Sequence, residues 1–345
     1  MADRLLCVGS YTSETGGTGP GLTVLREDRT SGTTTTVAEL ETPGCSWLAW
    51  HPRLPVGYAV NELATGGITA FTVNADGTPR VLAVLESGGA LPCHLAVTPD
   101  GRHALAAHYG SGSAAVFALD ERGLPTGRTD LVELTGSGPD PERQEAPHAH
   151  MVTLNAAGTL ASVLDLGSDT VWSYRLTPDG RLTDRVAARL PAGCGPRQLV
   201  RAAGDRAYLV AELSGELVTL REPTPGHFEV VHRTRASARP EENLSAQFTP
   251  APDGRFGYFS NRGPDTLTVF ALDDSAAPTV VTEYPLGAAW PRHFTVHGDR
   301  LYAASQFDDV LVTLDLDQET GVPTEAHRHP VNSPVFVSVV PTSTV

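Results

Sequence analysis

Arginines, histidines and carboxylates stand at matching points of a repeated phrase in this chain. His148 and Arg197 each follow a proline at the head of a short apolar stretch, in PHAH (147–150) and PRQL (196–199), and Arg292 does so in PRHF (291–294). The following stretch of each repeat ends on another polar residue: Glu62, His108, Asp165, Glu212, Arg262 or Gln306. Arginine offers a planar fork of donors that fits a carboxylate, a phosphate or an oxyanion formed during a reaction. Histidine titrates near neutrality, as a general base or acid requires. His148 and Glu212 are candidates for acid–base work, and Arg197 and Arg262, like Arg292, for binding negative charge. Arg292, Glu62, His150, Asp165, His108 and Gln306 form the expected substrate-binding set. Two of these also have structural readings: His150 because its counterparts are Leu95, Leu199 and Phe294, and Asp165 as a turn-stabilising residue ahead of Gly167.

The repeat itself says what must position these groups. Its openings fall at 44–52, 91–101, 146–158, 195–204, 245–254, 290–299 and 333–340, about 43 to 55 residues apart. Each opening is a short strand, a tight turn such as PDG or AAG, and a second strand ending in the polar cluster. A third strand follows, as in GITAFTV (67–73) or TLTVFAL (266–272), then another turn and an outer strand such as RVLAVLE (80–86). Four strands per unit, with no stretch at helical spacing, predict an all-β seven-bladed β-propeller formed by residues 1–345 as one domain. The last phrase has no strands after it, and the N-terminus supplies three strands without an opening phrase. The C-terminal strand is thus expected to join them in one shared blade, which removes exposed sheet edges. A propeller gathers the same point of every blade around one mouth. Aligning Pro92, Pro147, Pro196 and Pro291 sets Cys93, His148, Arg197 and Arg292 level there. His150 then lies about 6–7 Å deeper, since a strand rises about 3.3 Å per residue. The longest irregular insertion, 135–147, leads directly into His148.

Composition narrows the function. The formal net charge is −15, and all 25 basic residues are arginine. An acidic chain is a poor ligand for nucleic acid or anionic membranes, and without lysine there is neither a Schiff base nor a Walker phosphate loop. Cys7, Cys45, Cys93 and Cys194 have no paired spacing and read as buried small residues, in keeping with a reducing, cytoplasmic location. No metal or organic cofactor is expected from the ligand spacing. The expected partner is a small anionic lactone or carboxylate, with neither nucleic acid nor membrane.

PERQEAPHAH (141–150), DLGSD (165–169), GPRQL (195–199), SNRG (260–263) and WPRHF (290–294), in that order, resemble the lactonase family of seven-bladed propellers. That family includes bacterial propeller-type 6-phosphogluconolactonases and the eukaryotic 3-carboxy-cis,cis-muconate lactonizing enzyme. The resemblance runs from GSYT (9–12) to the last strand. In the muconate enzyme the site is a histidine, a glutamate and two arginines, and the matching motifs here imply His148, Glu212, Arg197 and Arg262. Ala211, His108 and Gln198 depart from the family pattern of Asn, Asn and His. The resemblance implies a hydrolase acting on an anionic sugar lactone such as 6-phosphogluconolactone. Its alternative is a lactonizing cycloisomerase of an unsaturated carboxylate. A non-catalytic scaffold is the third reading; the Trp-Asp and Gly-Gly repeats of scaffold propellers are missing.

Overall fold

Each repeat becomes one sheet because its strands are apolar on both faces. The second and third strands of a unit, such as Gly57–Asn61 and Gly67–Val73, are almost wholly buried, whereas the outer strand Pro79–Glu86 is half-buried or exposed after its first residue. A sheet with two apolar faces must be covered on both. Radial stacking of like sheets does this: the core clusters span neighbouring units, as where Tyr58 and Val60 pack with Leu95 and Phe117, or Tyr208 with Phe248, Phe259 and Phe270.

The computed structural model describes residues 3–273 and 277–341. It contains seven four-stranded antiparallel sheets. We number the blades by their inner strands: Leu48–Trp50 (blade 1), Pro92–Val97 (2), Ala149–Leu154 (3), Pro196–Arg201 (4), Leu244–Pro250 (5), Pro291–His297 (6) and Pro334–Val339 (7). Each inner strand touches the next around the ring, and that of blade 7 touches that of blade 1. Blade 7 is the shared one. Pro334–Val339 pairs antiparallel with Arg4–Ser10, which continues to Gly21–Glu27 and Thr34–Glu41. The joint is clasped by Glu27, fully buried, which receives bonds from Arg300 Nη1 at 2.8 Å and Tyr302 Oη at 2.8 Å, both from blade 6. No helix among the described residues is long and apolar enough to cross a membrane.

Two backbone devices recur. In blades 2 to 6 the inner strand carries a β-bulge near its start, at Cys93, His150, Arg197, Ala246 and Arg292. A bulge leaves one residue unpaired and re-aims its side chain, here into the central channel. Ser46 in blade 1 and Val335 in blade 7 complete the ring of seven. The residue before the inner strand is left-handed at Leu91, Gly195, Trp290 and Ser333. In three places an aspartate of the preceding blade caps it: Asp169 accepts from Gly195 N at 2.7 Å, Asp265 from Trp290 N at 2.8 Å and Asp309 from Ser333 N at 2.6 Å. Blade-to-blade geometry at the mouth is thus fixed by charge-assisted hydrogen bonds to the backbone.

Candidate functional site

The bulge corrects the expected register in blade 3. Pro92, Pro196 and Pro291 pair with His108, Ala211 and Ser305, and the residue that pairs likewise with Asp165 is Ala149, not Pro147. The entire PHAH motif is therefore displaced by two positions. His150, and not His148, stands level with Arg197 and Arg292. His148 is buried beside the mouth: Nδ1 bonds the Tyr109 carbonyl at 2.9 Å, Nε2 faces Glu145 at 3.1 Å, and the ring stacks on Tyr109 at 4.4 Å.

The second-strand ends need a similar correction. Glu62, Glu212, Arg262 and Gln306 are joined at one level by Tyr11, Tyr109 and Leu166, while His108 and Asp165 lie one residue earlier, level with Asn61, Asn261 and Ser305. His108 is fully buried and bonds Ser113 Oγ at 3.0 Å. Asp165 is also fully buried, accepting from the His148 and Ser168 amides and from Trp172 Nε1. Neither lines the cavity, nor does Gln306, whose backbone N–H bonds the Trp290 carbonyl.

The mouth is a cavity of about 240 Å³ holding Glu62, His150, Arg197, Glu212, Arg262 and Arg292, six residues that the sequence singles out. Arg143, Tyr109, Cys93 and Trp290 join them in its walls. Arg143 comes from the long insertion, which is pinned by the buried Gln144: its Nε2 donates to the Leu166 carbonyl at 2.8 Å and to Asp169 at 2.9 Å. Trp290 carries the Arg262 guanidinium over its ring at 5.2 Å.

Two clusters divide the cavity. In the first, Glu212 is gripped by Arg197 at 2.6 Å, Arg143 at 2.7 Å and Arg262 at 3.0 Å. Burial would raise its pKa, but the charges of Arg262, Arg197 and Arg143 outweigh that and hold the carboxyl well below the ordinary range. Arg197 spends Nε on the Ala246 carbonyl and Nη1 on Glu212 and on His150 Nε2, leaving Nη2 directed at no protein group among the described residues. Because His150 Nε2 accepts, its proton sits on Nδ1; burial, reinforced by Arg197, keeps this imidazole neutral. Burial pulls Arg262 down to about 9, against the pull of Glu212, so it stays charged at neutral pH.

In the second cluster, the Tyr11 hydroxyl donates to Glu62, 3.2 Å from either oxygen, and accepts from Arg292 at 2.7 Å. Burial pushes the Glu62 carboxyl above the ordinary range, opposed by Arg292, Ser46 and Tyr11. Four guanidinium groups face two carboxylates, so the mouth carries at least two net positive charges within a chain of net charge −15. Among the described residues, no group of three or more His, Cys, Asp or Glu side chains is placed to hold a metal ion.

Below the mouth the channel narrows to about 30 Å³ between rings formed by the bulge residues and those following them, including Trp47, His94 and His293. Burial, with the Arg197 charge adding to it, holds His94 and His293 down to about 3. The unfolded chain takes up protons at these residues below about pH 6.5, while the folded chain does not until about pH 3. Stability should fall as pH drops through this window, by about 1.4 kcal/mol per pH unit for each histidine. Urea unfolding at stepped pH checks this: a midpoint as high at pH 4.5 as at pH 7 contradicts it.

The chain is thus a seven-bladed propeller with an arginine-rich, carboxylate-buffered pocket at its mouth. The comparisons name the family. A model of the lactonase family of seven-bladed β-propellers matches residues 5–339, and the chain belongs to that family. It is 30% identical over 287 residues to the 6-phosphogluconolactonase of Bacillus subtilis, covering 80% of this chain and 81% of that one. It is 28% identical over 330 residues to the 6-phosphogluconolactonase of Formosa agariphila, covering 91% and 93%. The structure of the periplasmic gluconolactonase of Pseudomonas aeruginosa superposes with a TM-score of 0.91 at 25% identity, covering 99% of each chain.

Proposed function

We propose that the protein hydrolyses an anionic sugar lactone, with 6-phosphogluconolactone as the first substrate to test. The observation that carries this reading is the excess of guanidinium over carboxylate in the cavity, with Arg197 Nη2 left free to bind an incoming anion or oxyanion. The names of the relatives favour hydrolysis over lactonization.

Hydrolysis needs a base for water, a cradle for the tetrahedral oxyanion and a proton for the leaving ring oxygen. Glu62 suits the base, because burial raises its pKa and makes it a better proton acceptor than an ordinary carboxylate. Water adds to the lactone carbonyl and gives its proton to Glu62. The oxyanion forms against Arg197 and Arg262. Collapse breaks the ring C–O bond, and the alkoxide recovers the proton from Glu62. Glu212 has the opposite role: held fully ionised, it orients three arginines and takes no proton. His150 is the neutral acceptor that fixes Arg197.

A pH-stat assay against the spontaneous rate tests the reading. Acceleration of 6-phosphogluconolactone hydrolysis, competed by inorganic phosphate, is expected; no acceleration with any sugar or phosphosugar lactone refutes it. His150→Gln should lower kcat/KM by about 10²-fold through misplacement of Arg197. His148→Gln alters a ring that hydrogen-bonds Tyr109 and Glu145 and does not line the cavity, so it should retain most activity. The reverse ranking would show that His148 reaches the substrate.

A further inference from the structure

His94 is the least satisfied polar side chain near the site. It is 5% exposed, packs against Trp47 at a ring-centroid distance of 4.1 Å, and neither ring nitrogen has a hydrogen-bond partner in the protein. Ser46 Oγ, in the ring of bulge residues above it, is also buried without a partner in hydrogen-bonding geometry, and it lies beside the Glu62 carboxylate. Ser46, His94 and Glu62 all line the narrow space of about 30 Å³ under the mouth. About 10–15 Å³ of such space holds one water.

The chemistry of these groups selects the occupant. A neutral imidazole presents one N–H donor and one bare acceptor. A metal cation cannot accept from the N–H, and an anion without protons cannot donate to the bare nitrogen. Water does both, and the Ser46 hydroxyl can complete its coordination in either direction. Buried polar groups of this kind are regularly satisfied by ordered water.

We propose that Ser46 and His94 hold a water molecule in the floor of the channel, and that this is the nucleophile of the hydrolysis. The assignment rests on the reaction proposed above. It places the attack on the channel side of the lactone, with Glu62 beside the water. One O–H bond breaks to Glu62 as the new C–O bond forms, and the ring oxygen later takes that proton back. His94 acts as a positioning residue: it orients the water and keeps its own proton.

The test pairs density with kinetics. His94→Phe keeps a ring against Trp47 but removes both nitrogens, and Ser46→Ala removes one oxygen. High-resolution crystal structures of the wild type and both variants should show the water in the wild type and its loss in His94→Phe. With 6-phosphogluconolactone, kcat should fall about 10- to 100-fold in His94→Phe, and by a smaller factor in Ser46→Ala, with KM nearly unchanged. Lactone turnover without water density in the wild type, or with kcat unchanged in both folded variants, overturns the inference. Water density in a wild-type protein that hydrolyses no lactone upholds the water site and overturns the proposed function instead. Should His94→Phe fail to fold, Ser46→Ala decides the kinetic arm.

Discussion

Glu62→Gln is expected to lower kcat by about 10²- to 10⁴-fold, the range of a lost general base, with little effect on folding. Glutamine keeps the shape of the side chain and can still meet the Tyr11 hydroxyl and the Arg292 guanidinium, but it cannot take a proton. The pH profile supplies the independent readout. Activity needs ionised Glu62, so the rate should fall as pH drops through its pKa. Because burial raises that pKa, the acid limb should lie above the ordinary carboxylate range. The limb should vanish in Glu62→Gln. A wild-type acid limb at or below the range of free glutamate, or an active Glu62→Gln enzyme, would remove Glu62 from the mechanism and turn attention to His150.

The second large effect belongs to Glu212. Its side chain is 3% exposed and in contact with three guanidinium groups. Removing one member of a buried ionic cluster leaves the other charges uncompensated and costs about 3–5 kcal/mol. Glu212→Ala should therefore lose both stability and activity. Its depressed pKa adds a sign: the stabilisation it gives is present above the unfolded-state value and is lost as pH falls through the folded one. Sulfate or acetate should partly restore the melting temperature of Glu212→Ala by taking the vacated place among Arg143, Arg197 and Arg262. An unchanged melting temperature in Glu212→Ala would show that the arginines do not depend on it.

Much of this was legible in the residues because a propeller repeats. Equal spacing gives the seven blades and the closure of blade 7, and the strand-end phrases bring Glu62, Glu212 and Arg262 to one mouth with Arg197 and Arg292. What escaped was backbone. A bulge makes no demand on residue type, and its seven equivalent positions hold Ser, Cys, His, Arg, Ala, Arg and Val. Nothing in PHAH marks Ala149, rather than Pro147, as the counterpart of the other prolines. The same one-residue ambiguity set His108 and Asp165 level with Glu62 and Glu212. Arg143 lies in an insertion with no counterpart in other blades, so repetition could not point to it, though the length of that loop did. Tyr11 follows a strand that belongs to a blade completed from the far end of the chain.

The closure of blade 7 also bears on the order in which the ring can form during synthesis. The walls of the mouth come from blades 1 to 6, braced by Tyr11 of blade 7, and the strand that seals the ring, Pro334–Val339, is made after all of them. Until it leaves the ribosome, Arg4–Ser10 has an unpaired edge, and the channel lacks Val335 and the aromatic wall that Phe336 forms with Trp47 and His293. The growing chain is thus a strip of stacked sheets whose arginines have no fixed circle to face. A chain cut before Pro334–Val339 should therefore have an open ring and no settled mouth.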